Sequence, residues 1–570
     1  MVWLLASAFS VGHSGSEPSV FTFLAPGEPV ESLKWRKTRI NRARWFSKQL
    51  WSHWFTIFEA KGYVEANRWL NQIYERMKLG NTGLFIDADD AEIKDYAIAK
   101  TRLIALDTRD AARRLDSKTA VFTIKTLFER IGIAFPLKDR YREDDYNIQK
   151  VMAAIARIED PRWLARQLRN KASRAMEAIC RELGMVQRNK AAYISEFSLR
   201  RYFYRQNSNR KLLEKLVATN DLGQQYTLAE LADLGISNPA IRRTELMVRL
   251  RGFETWAEND TRAWTPWFLT LTTPSKYHPI SGAGGRSKLN PKFNGSTPAD
   301  AQQYLNKTWQ RARAKLDRQG IEYFGFRVAE PHHDGTPHWH LLLFVAKEHQ
   351  STLLKIMRTY ALAEDGDELG AQKHRFEAVR IDPEKGSATG YVAKYISKNV
   401  DGYKVDTDNE TGKAAPLSAI RAGAWASIWG IRQFQQIGGP PVTPWRELRR
   451  TDDISNQLAD TLTIEEDRLL AIHNAADEGD WAQYIELMGG GICKRSDRPL
   501  RAKYFVEPEA GEYGEDVARL TGLLSAFGHE VKTRLRTWTV SMAPKASILI
   551  PTSGYMHTGP PEPAPLEFCQ

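Results

Sequence analysis

Two histidines separated by one residue, His338 and His340, form the first group in the sequence that could do chemistry. The run His338–Val345 predicts a β-strand, in which alternate side chains project from one face, roughly 6.5–7 Å apart at the backbone. Both imidazoles could then bind one ion, while Trp339 packs on the other face. Glu330, at the end of the preceding strand and across a short turn, could add a carboxylate oxygen. This set of ligands suits Mn²⁺ or Mg²⁺ and does not exclude Zn²⁺.

A second reactive group is a pair of tyrosines, Tyr391 and Tyr395, in the predicted helix Ser387–Asn399. Residues four apart share one face of a helix, so the two phenols are expected side by side, about 6 Å apart along the axis. Lys394 and Lys398 border the pair. A phenol has an ordinary pKa near 10 and is a weak nucleophile at neutral pH, so a metal ion that polarises a phosphate, helped by these lysines, would have to activate it.

Two neighbouring features have less distinctive residues. Phe268–Thr272 reads as a core strand, which we expect beneath the metal site. His332 and His333 lie outside the alternating register of the strands. We therefore interpret them as turn or DNA-contacting residues, although either of them could complete the metal site in place of Glu330.

The elements around these groups alternate in a recognisable order. Turn, cap and periodicity signals predict β-α-β-β-α-β and then one more helix, which is the split-βαβ, ferredoxin-like arrangement of an antiparallel sheet with helices on one face. The predicted elements are a strand at Trp267–Thr273, a helix from Thr297 to Gly320, strands at Ile321–Glu330 and His338–Val345, a helix at Ser351–Ala363, a strand at Phe376–Asp382 and the helix Ser387–Asn399.

The rest of the chain reads as an α+β protein built around this unit. Residues 30–220 are mainly helical and charged, and a further helical piece, Tyr226–Arg251, breaks near Asn238-Pro239 and ends at Gly252. After a polar loop at Asp401–Ala415, Ser418–Gln436 is predicted as a helix. The predicted divisions are a flexible N-terminus at 1–25, a helical region at 26–255 that binds DNA or a partner, a nuclease domain at 256–405, a helical and mixed region at 406–550 and a disordered tail at 551–570.

Composition favours a polyanionic partner. The 570 residues include 81 Lys and Arg against 69 Asp and Glu, a formal net charge of +12. Such an excess is typical of nucleic-acid-binding proteins, although a solvated basic surface would explain it equally well. The three cysteines, Cys180, Cys493 and Cys569, are too far apart for a disulfide framework or a CxxC zinc module and fit a reducing compartment. No segment predicts a membrane span or a signal peptide.

Three motifs together resemble a known family. Glu330–His340 resembles the His-hydrophobe-His motif of the HUH endonucleases, Gly390–Lys398 resembles their two-tyrosine motif, and Phe268–Thr272 is similar to the first motif of the same group. In order and spacing, the chain is most similar to the replication gene A proteins of temperate tailed phages. The similarity extends through Arg242–Glu254 and Trp425–Arg450, and the catalytic motifs show no departure from the pattern.

The resemblance implies a function. It implies a rolling-circle replication initiator in which His338 and His340, with Glu330, hold one divalent ion against the scissile phosphate. One tyrosine would form a 5′-phosphotyrosyl link and release a 3′-OH primer, and the second would later rejoin the displaced strand. DNA, host polymerase and host helicase would be partners in the bacterial cytoplasm, since no Walker A pattern indicates an intrinsic helicase.

Two other readings remain. One is a non-catalytic origin-binding initiator that loads host helicase, with a structural metal site; the tyrosine pair argues against it. The other is a conjugative or mobilisation relaxase, in which the tyrosine generally precedes the histidine motif, whereas Tyr391 follows His338. The sequence leaves open the nick site, the metal, the order of the tyrosines and the oligomeric state.

Overall fold

A computed structural model of the chain describes residues 23–137, 148–281, 288–382, 384–403, 414–451, 457 and 463–543. The predicted tail at 551–570 lies outside the described residues, as do 1–22 of the predicted flexible N-terminus and 404–413 of the predicted polar loop. Within the described parts, the fold is α+β, as predicted.

The N-terminal region is helical, which confirms the sequence reading. Apolar residues at helical spacing bury one stripe of each helix, and two separate cores result, one around Trp54 and Leu70 and the other around Ile124 and Leu168. Polar caps start several helices; Asp89, for example, forms a capping box with Glu92. The helices are α1 (Val30–Arg42), α2 (Ser47–Lys61), α3 (Tyr63–Arg76), α4 (Asp90–Arg114), α5 (Ser117–Glu129), α6 (Ile148–Glu159), α7 (Pro161–Glu182) and α8 (Glu196–Leu213).

A small hairpin and two helices lead to the central sheet. Strands β1 (Leu216–Asn220) and β2 (Gln225–Thr227) pair with each other, and α9 (Leu228–Asp233) follows. The predicted break at Asn238-Pro239 is confirmed, because Asn238 caps α10 (Pro239–Asn259) and Pro239 occupies its first turn.

The predicted end of that helix at Gly252 is wrong. The helix continues to Asn259, and Gly252 lies in its interior. A Cβ at Gly252 would lie 2.5 Å from the Cβ of Trp481. The close packing of α10 against Trp481 therefore explains why this position is a glycine.

The central sheet has five antiparallel strands in the order β8-β3-β7-β6-β9. Helix α11 (Pro298–Arg318) lies between β3 and β6 in the chain, and α12 (Gln350–Ala361) lies between β7 and β8. Thr297 forms the capping box of α11 with Asp300. The short helix α13 (Ala371–His374) precedes β8. The strands in this part of the chain are β3 (Trp264–Leu271), β4 (Ile280–Ser281), β5 (Lys288–Leu289), β6 (Tyr323–Pro331), β7 (Pro337–Ala346), β8 (Phe376–Arg380) and β9 (Phe434–Ile437).

Helices cover both faces of this sheet, whereas the sequence predicted them on one face. One face, with Leu269, Trp339 and Leu341, packs on α11, α12 and α15 (Ala415–Trp429). The other face, with Phe268 and Leu342, packs on α10 and on α14 (Ala388–Val400). The second layer of helices forms because α10, which precedes the predicted β-α-β-β-α-β unit in the chain, shares an apolar core with α14.

The strand β9 was not predicted, since the sequence indicated a helix over Ser418–Gln436. The helix α15 ends at Gly430, whose left-handed backbone (φ 66°, ψ 36°) terminates it. Phe434–Ile437 then pair with Gly325–Val328 of β6 and form one edge of the sheet.

The C-terminal region contains both helices and strands, as predicted, and its last strand pairs with a strand of the N-terminal half. Its elements are α16 (Val442–Leu448), α17 (Thr463–Glu478), α18 (Trp481–Leu487), β10 (Leu500–Glu507), β11 (Val517–Ser525), β12 (Glu530–Lys532) and β13 (Trp538–Met542). Strand β13 pairs with β1 in an antiparallel register. Among the described residues, none of the helices combines the length and apolarity needed to cross a membrane.

Candidate metal centre and tyrosine pair

The β6–β7 hairpin brings together the three predicted metal ligands. Glu330 pairs with His338 across the hairpin, and His340 follows two residues later on the same face. The Nε2 atoms of His338 and His340 are 3.0 Å apart, and Glu330 Oε2 lies 3.9 Å and 3.6 Å from them. All three side chains are buried, and their donor atoms lie within 4.8 Å of one another. All three side chains could therefore bind one divalent ion.

The neighbouring strand β3 orients His340. Thr270 pairs with His340 in the β3–β7 register, and its Oγ1 lies 3.1 Å from His340 Nδ1. Phe268 stacks on the same imidazole at 5.2 Å and 18°. With Nδ1 engaged, Nε2 is the nitrogen that faces Glu330 and His338, which is the usual role of a hydrogen bond behind a metal-binding histidine.

His338 is buried next to other basic side chains. Its ring stacks on His332 with centroids 4.0 Å apart. Burial lowers the pKa of His338 well below its ordinary value, and the nearby His332, His340 and Lys398 lower it further. The neutral imidazole is the form that binds a metal ion.

A buried polar network fixes the turn between β6 and β7. Asp334 accepts the backbone N–H of Thr336 (2.9 Å), and its other carboxylate oxygen lies 3.0 Å from His278 Nδ1. Arg181, from α7, donates to the Asp334 carbonyl (2.8 Å) and to Thr336 Oγ1 (2.9 Å). Burial would raise the pKa of Asp334, but the charges of His278 and Arg181 and the His278 hydrogen bond hold it far below its ordinary range. An N-terminal helix thus supports the hairpin that carries the metal ligands.

The tyrosine helix α14 is held at its N-terminus from two sides. Ser387 caps it by accepting the Gly390 N–H at 2.9 Å. The buried carboxylate of Glu254, on α10, accepts the backbone N–H groups of Ala388 and Thr389, the latter at 3.1 Å. A carboxylate at this end also interacts favourably with the helix dipole.

Both tyrosines lie on the face of α14 that approaches the metal centre. Phe268 contacts both rings, with centroids 4.9 Å from Tyr391 and 5.2 Å from Tyr395. Tyr395 also lies 4.4 Å from the His340 ring. Burial raises the pKa of Tyr395 above its ordinary value, and the charge of Glu330 raises it further. Tyr391 is 37% exposed and is the more accessible of the two.

The two predicted lysines occupy different positions. Lys394 is exposed, and its ammonium lies 5.1 Å from the centre of each tyrosine ring. The ammonium of Lys398 lies 3.7 Å from Glu330 Oε2. Lys398 is therefore part of the surroundings of the metal ligands, whereas Lys394 borders the phenols.

The predicted metal ligands, tyrosines and lysines thus come to one place, but three neighbours were missed. Asn399 donates a hydrogen bond to Glu330 and lies one turn beyond Tyr395, so the helical spacing of the tyrosines could have found it. Thr270 shares the strand parity of Phe268, but only the β3–β7 pairing reveals its partner. Glu254 carries no local signal. Of the uncertain histidines, His332 contacts His338, and the His333 carbonyl accepts the Tyr193 N–H at 3.2 Å.

Comparisons with known proteins find phage replication proteins. The family model described as bacteriophage replication gene A protein matches residues 96–403. The replication gene A protein of Escherichia phage 186 is 42% identical over 75% of this chain and 62% of its own length. That of Escherichia phage P2 is 37% identical over 72% of this chain and 54% of its own length. A probable replication endonuclease from a prophage-like region of Salmonella paratyphi A is 33% identical over 65% of this chain and 47% of its own length.

The matches cover only part of the length of each relative. The chain spans about half to three fifths of the length of the curated relatives it matches. No solved structure matches it significantly.

Proposed function

The chain belongs to the bacteriophage replication gene A protein family, and from that premise we propose that it is a metal-dependent, strand-specific endonuclease that initiates rolling-circle DNA replication. The observation that carries the proposal is the contact between the two chemical groups. Glu330, His338 and His340 converge within 4.8 Å, and the Tyr395 ring lies 4.4 Å from His340. A purely structural histidine pair would not need a second helix that carries two phenols beside it.

The fold supports an HUH-type nuclease domain. The four strands β3, β6, β7 and β8 can be numbered 1 to 4 in chain order. They then lie side by side in the sheet as 4-1-3-2, and a helix follows strand 1 and strand 3 in the chain. This is the order of a split-βαβ, ferredoxin-like sheet, with β9 added at one edge. The two histidines lie on one of its central strands.

Glu330, His338 and His340 would hold the divalent ion, Mg²⁺ or Mn²⁺. Two imidazole nitrogens and one carboxylate oxygen leave coordination positions for phosphate and water, so the donor set fits this use. When bound, such an ion polarises the scissile phosphate. Thr270 holds His340 in place, and Asn399 holds Glu330 in place. Lys398 adds a positive charge beside Glu330.

The tyrosines supply the nucleophiles. A phenol oxygen forms a bond to phosphorus and its proton passes to solvent. The bond from phosphorus to the 3′-oxygen breaks, and that oxygen takes up a proton from solvent and leaves as a 3′-hydroxyl. The resulting 5′-phosphotyrosyl diester keeps the energy of the original bond, so rejoining needs no ATP. Tyr391 and Tyr395 on one helix face allow one phenol to stay linked while the other cuts the regenerated junction.

The wider role follows from this reaction. The released 3′-hydroxyl would prime a host polymerase, and a host replicative helicase would separate the strands. The substrate is single-stranded or melted phage origin DNA, and the place of action is the cytoplasm of the bacterial host. Lys394 and Lys398 would contact the phosphates that flank the nick.

The test is covalent capture of DNA. Purified protein with Mn²⁺ or Mg²⁺ is incubated with labelled single strands tiled across its own gene and flanking DNA, and the products are separated under denaturing conditions. We expect a metal-dependent adduct that is lost in the Tyr391→Phe/Tyr395→Phe double variant and retained in Tyr204→Phe, an exposed tyrosine on α8. Clear DNA binding with no adduct on any strand would favour the non-catalytic initiator that loads helicase.

A further inference from the structure

A second basic site lies at the edge of the central sheet, next to β9. It is a cavity of about 340 Å³ whose walls include Arg249, Arg432, Arg495 and Arg498 together with Gln436. Its lining residues, all within the described part of the chain, include no carboxylate. Four guanidinium groups around one cavity favour an anion.

Arg249 is the best evidence that the cavity is built to hold an anion. The residue is only 9% exposed, and its Nε has no hydrogen-bond partner. The nearest carboxylate oxygen, on Glu245, is 3.8 Å away and is itself bound by Arg446 at 2.7 Å. A buried guanidinium with an unused N–H costs free energy unless a ligand pairs with it.

The charge around Arg249 adds to this need. Burial lowers the pKa of Arg249 to about 10; Glu245 raises it, and the charges of Arg446 and Arg432 lower it further. Arg249 is nevertheless protonated at neutral pH. An anion in the cavity would relieve the repulsion between these guanidinium groups.

Arg498, on another wall of the cavity, is held in place by backbone contacts. Arg498 donates to the carbonyls of Met488, Gly490 and Cys493, with the shortest contact at 2.8 Å, which fixes its guanidinium. Arg432 and Arg495 are exposed, and Arg432 Nε donates to the Phe434 carbonyl at 3.1 Å. None of the lining residues is aromatic. The cavity therefore offers contacts for a phosphate but no ring on which a base could stack.

The cavity and the metal centre lie at two places along the same strand, β6. Gln436 pairs with Phe326 on β6, and Glu330 lies four residues further along the same strand and on the same face. Four residues of β-strand span about 13 Å, so the cavity would contact a different phosphate from the one at the metal centre.

We propose that this cavity binds a backbone phosphate of the same single DNA strand that is cut at the metal centre. The proposal rests on the proposed nuclease function, because that function supplies the strand. In this role Arg249, Arg432 and Arg495 set the path of the strand beside the nick site and do not take part in the chemistry.

Cys493 gives a direct readout, because it lines the cavity and is partly exposed. The rate of its alkylation by N-ethylmaleimide is measured by mass spectrometry, with the Cys569 peptide as the internal reference. The experiment uses the full-length Tyr391→Phe/Tyr395→Phe protein, so that no cleavage occurs and the result does not depend on nuclease activity. Oligo(dT), inorganic phosphate and buffer alone are compared.

We expect oligo(dT) to slow alkylation of Cys493 several-fold, and Arg432→Gln/Arg495→Gln to abolish that protection. The same substitutions should reduce the slope of log affinity against log salt by about 0.7 for each phosphate that the protein no longer neutralises. The matched control is Arg109→Gln/Arg113→Gln, two exposed arginines on α4. An unchanged slope, or Cys493 alkylation that oligo(dT) does not slow, would overturn the proposal. Protection by phosphate but not by oligo(dT) would also overturn it and would indicate a site for free phosphate.

Discussion

The Tyr395 ring lies 4.4 Å from the His340 ring, centroid to centroid, at an angle of 40°. Tyr391, one turn earlier, contacts Phe268 and is more exposed. We therefore predict that Tyr395 makes the first cut. Tyr395→Phe should lower the single-turnover rate of first cleavage by at least about 10³-fold, whereas Tyr391→Phe should mainly block the second strand transfer. Both rates can be read from one labelled origin strand. Equal losses of first cleavage in the two variants would contradict this assignment.

Thr270 should control the affinity for metal through His340. Thr270→Val removes the hydroxyl that lies 3.1 Å from His340 Nδ1 without changing the size of the side chain much. Removing a hydrogen bond of this kind typically weakens metal binding by about 10–100-fold. Calorimetric titration with Mn²⁺ measures the effect, and Thr270→Ser, which keeps the hydroxyl, should restore most of the affinity. Tight binding in Thr270→Val would exclude this role for the hydroxyl.

Glu254 should position the tyrosine helix and should not act on DNA itself. Glu254→Ala leaves the first amides of α14 without their acceptor, and we expect the free energy of unfolding to fall by about 1.5–3 kcal/mol. The maximal nicking rate should fall while DNA affinity is preserved, because the phenols move relative to the metal centre. Denaturant unfolding and nicking kinetics measure the two effects. Glu258→Ala, an exposed site on the same helix, should change stability by less than about 0.5 kcal/mol.

Local signals were enough to predict the elements that carry the site. Thr297 and Pro298 mark the start of α11, and the tyrosine helix begins next to Ser387, as expected. The alternation of the strand that bears His338 places Trp339 in the opposite core, also as expected. Each of these features depends on residues that are close together in sequence, which is why a single sequence reveals them.

Features that depend on distant partners were not predicted. Strand β9 is a strand because Gly325–Val328 offers it an edge. Gly430 was a local signal for the end of α15, but no local signal showed that a strand of this sheet follows it. Gly252 looked like a helix end because its partner, Trp481, is far along the chain. Glu254 supports α14 from a helix more than 130 residues earlier. Long-range packing decided all three.

The buried Asp334 carboxylate should make the β6–β7 turn sensitive to acid. Its pKa is far below the ordinary value in the folded protein, so its ionised form contributes stability at neutral pH, and this contribution disappears as the pH falls below the ordinary carboxylate range. We therefore expect Asp334→Asn to lower the free energy of unfolding by roughly 1–3 kcal/mol near neutral pH, because His278 then has no ionised acceptor beside it. The difference between the two proteins should shrink as the pH approaches about 3. Urea unfolding of both proteins across this range measures it, and Asp367→Asn, at an exposed aspartate near α13, serves as the control. A stability difference that stays constant with pH would mean that the turn depends on the shape of the side chain and not on its charge.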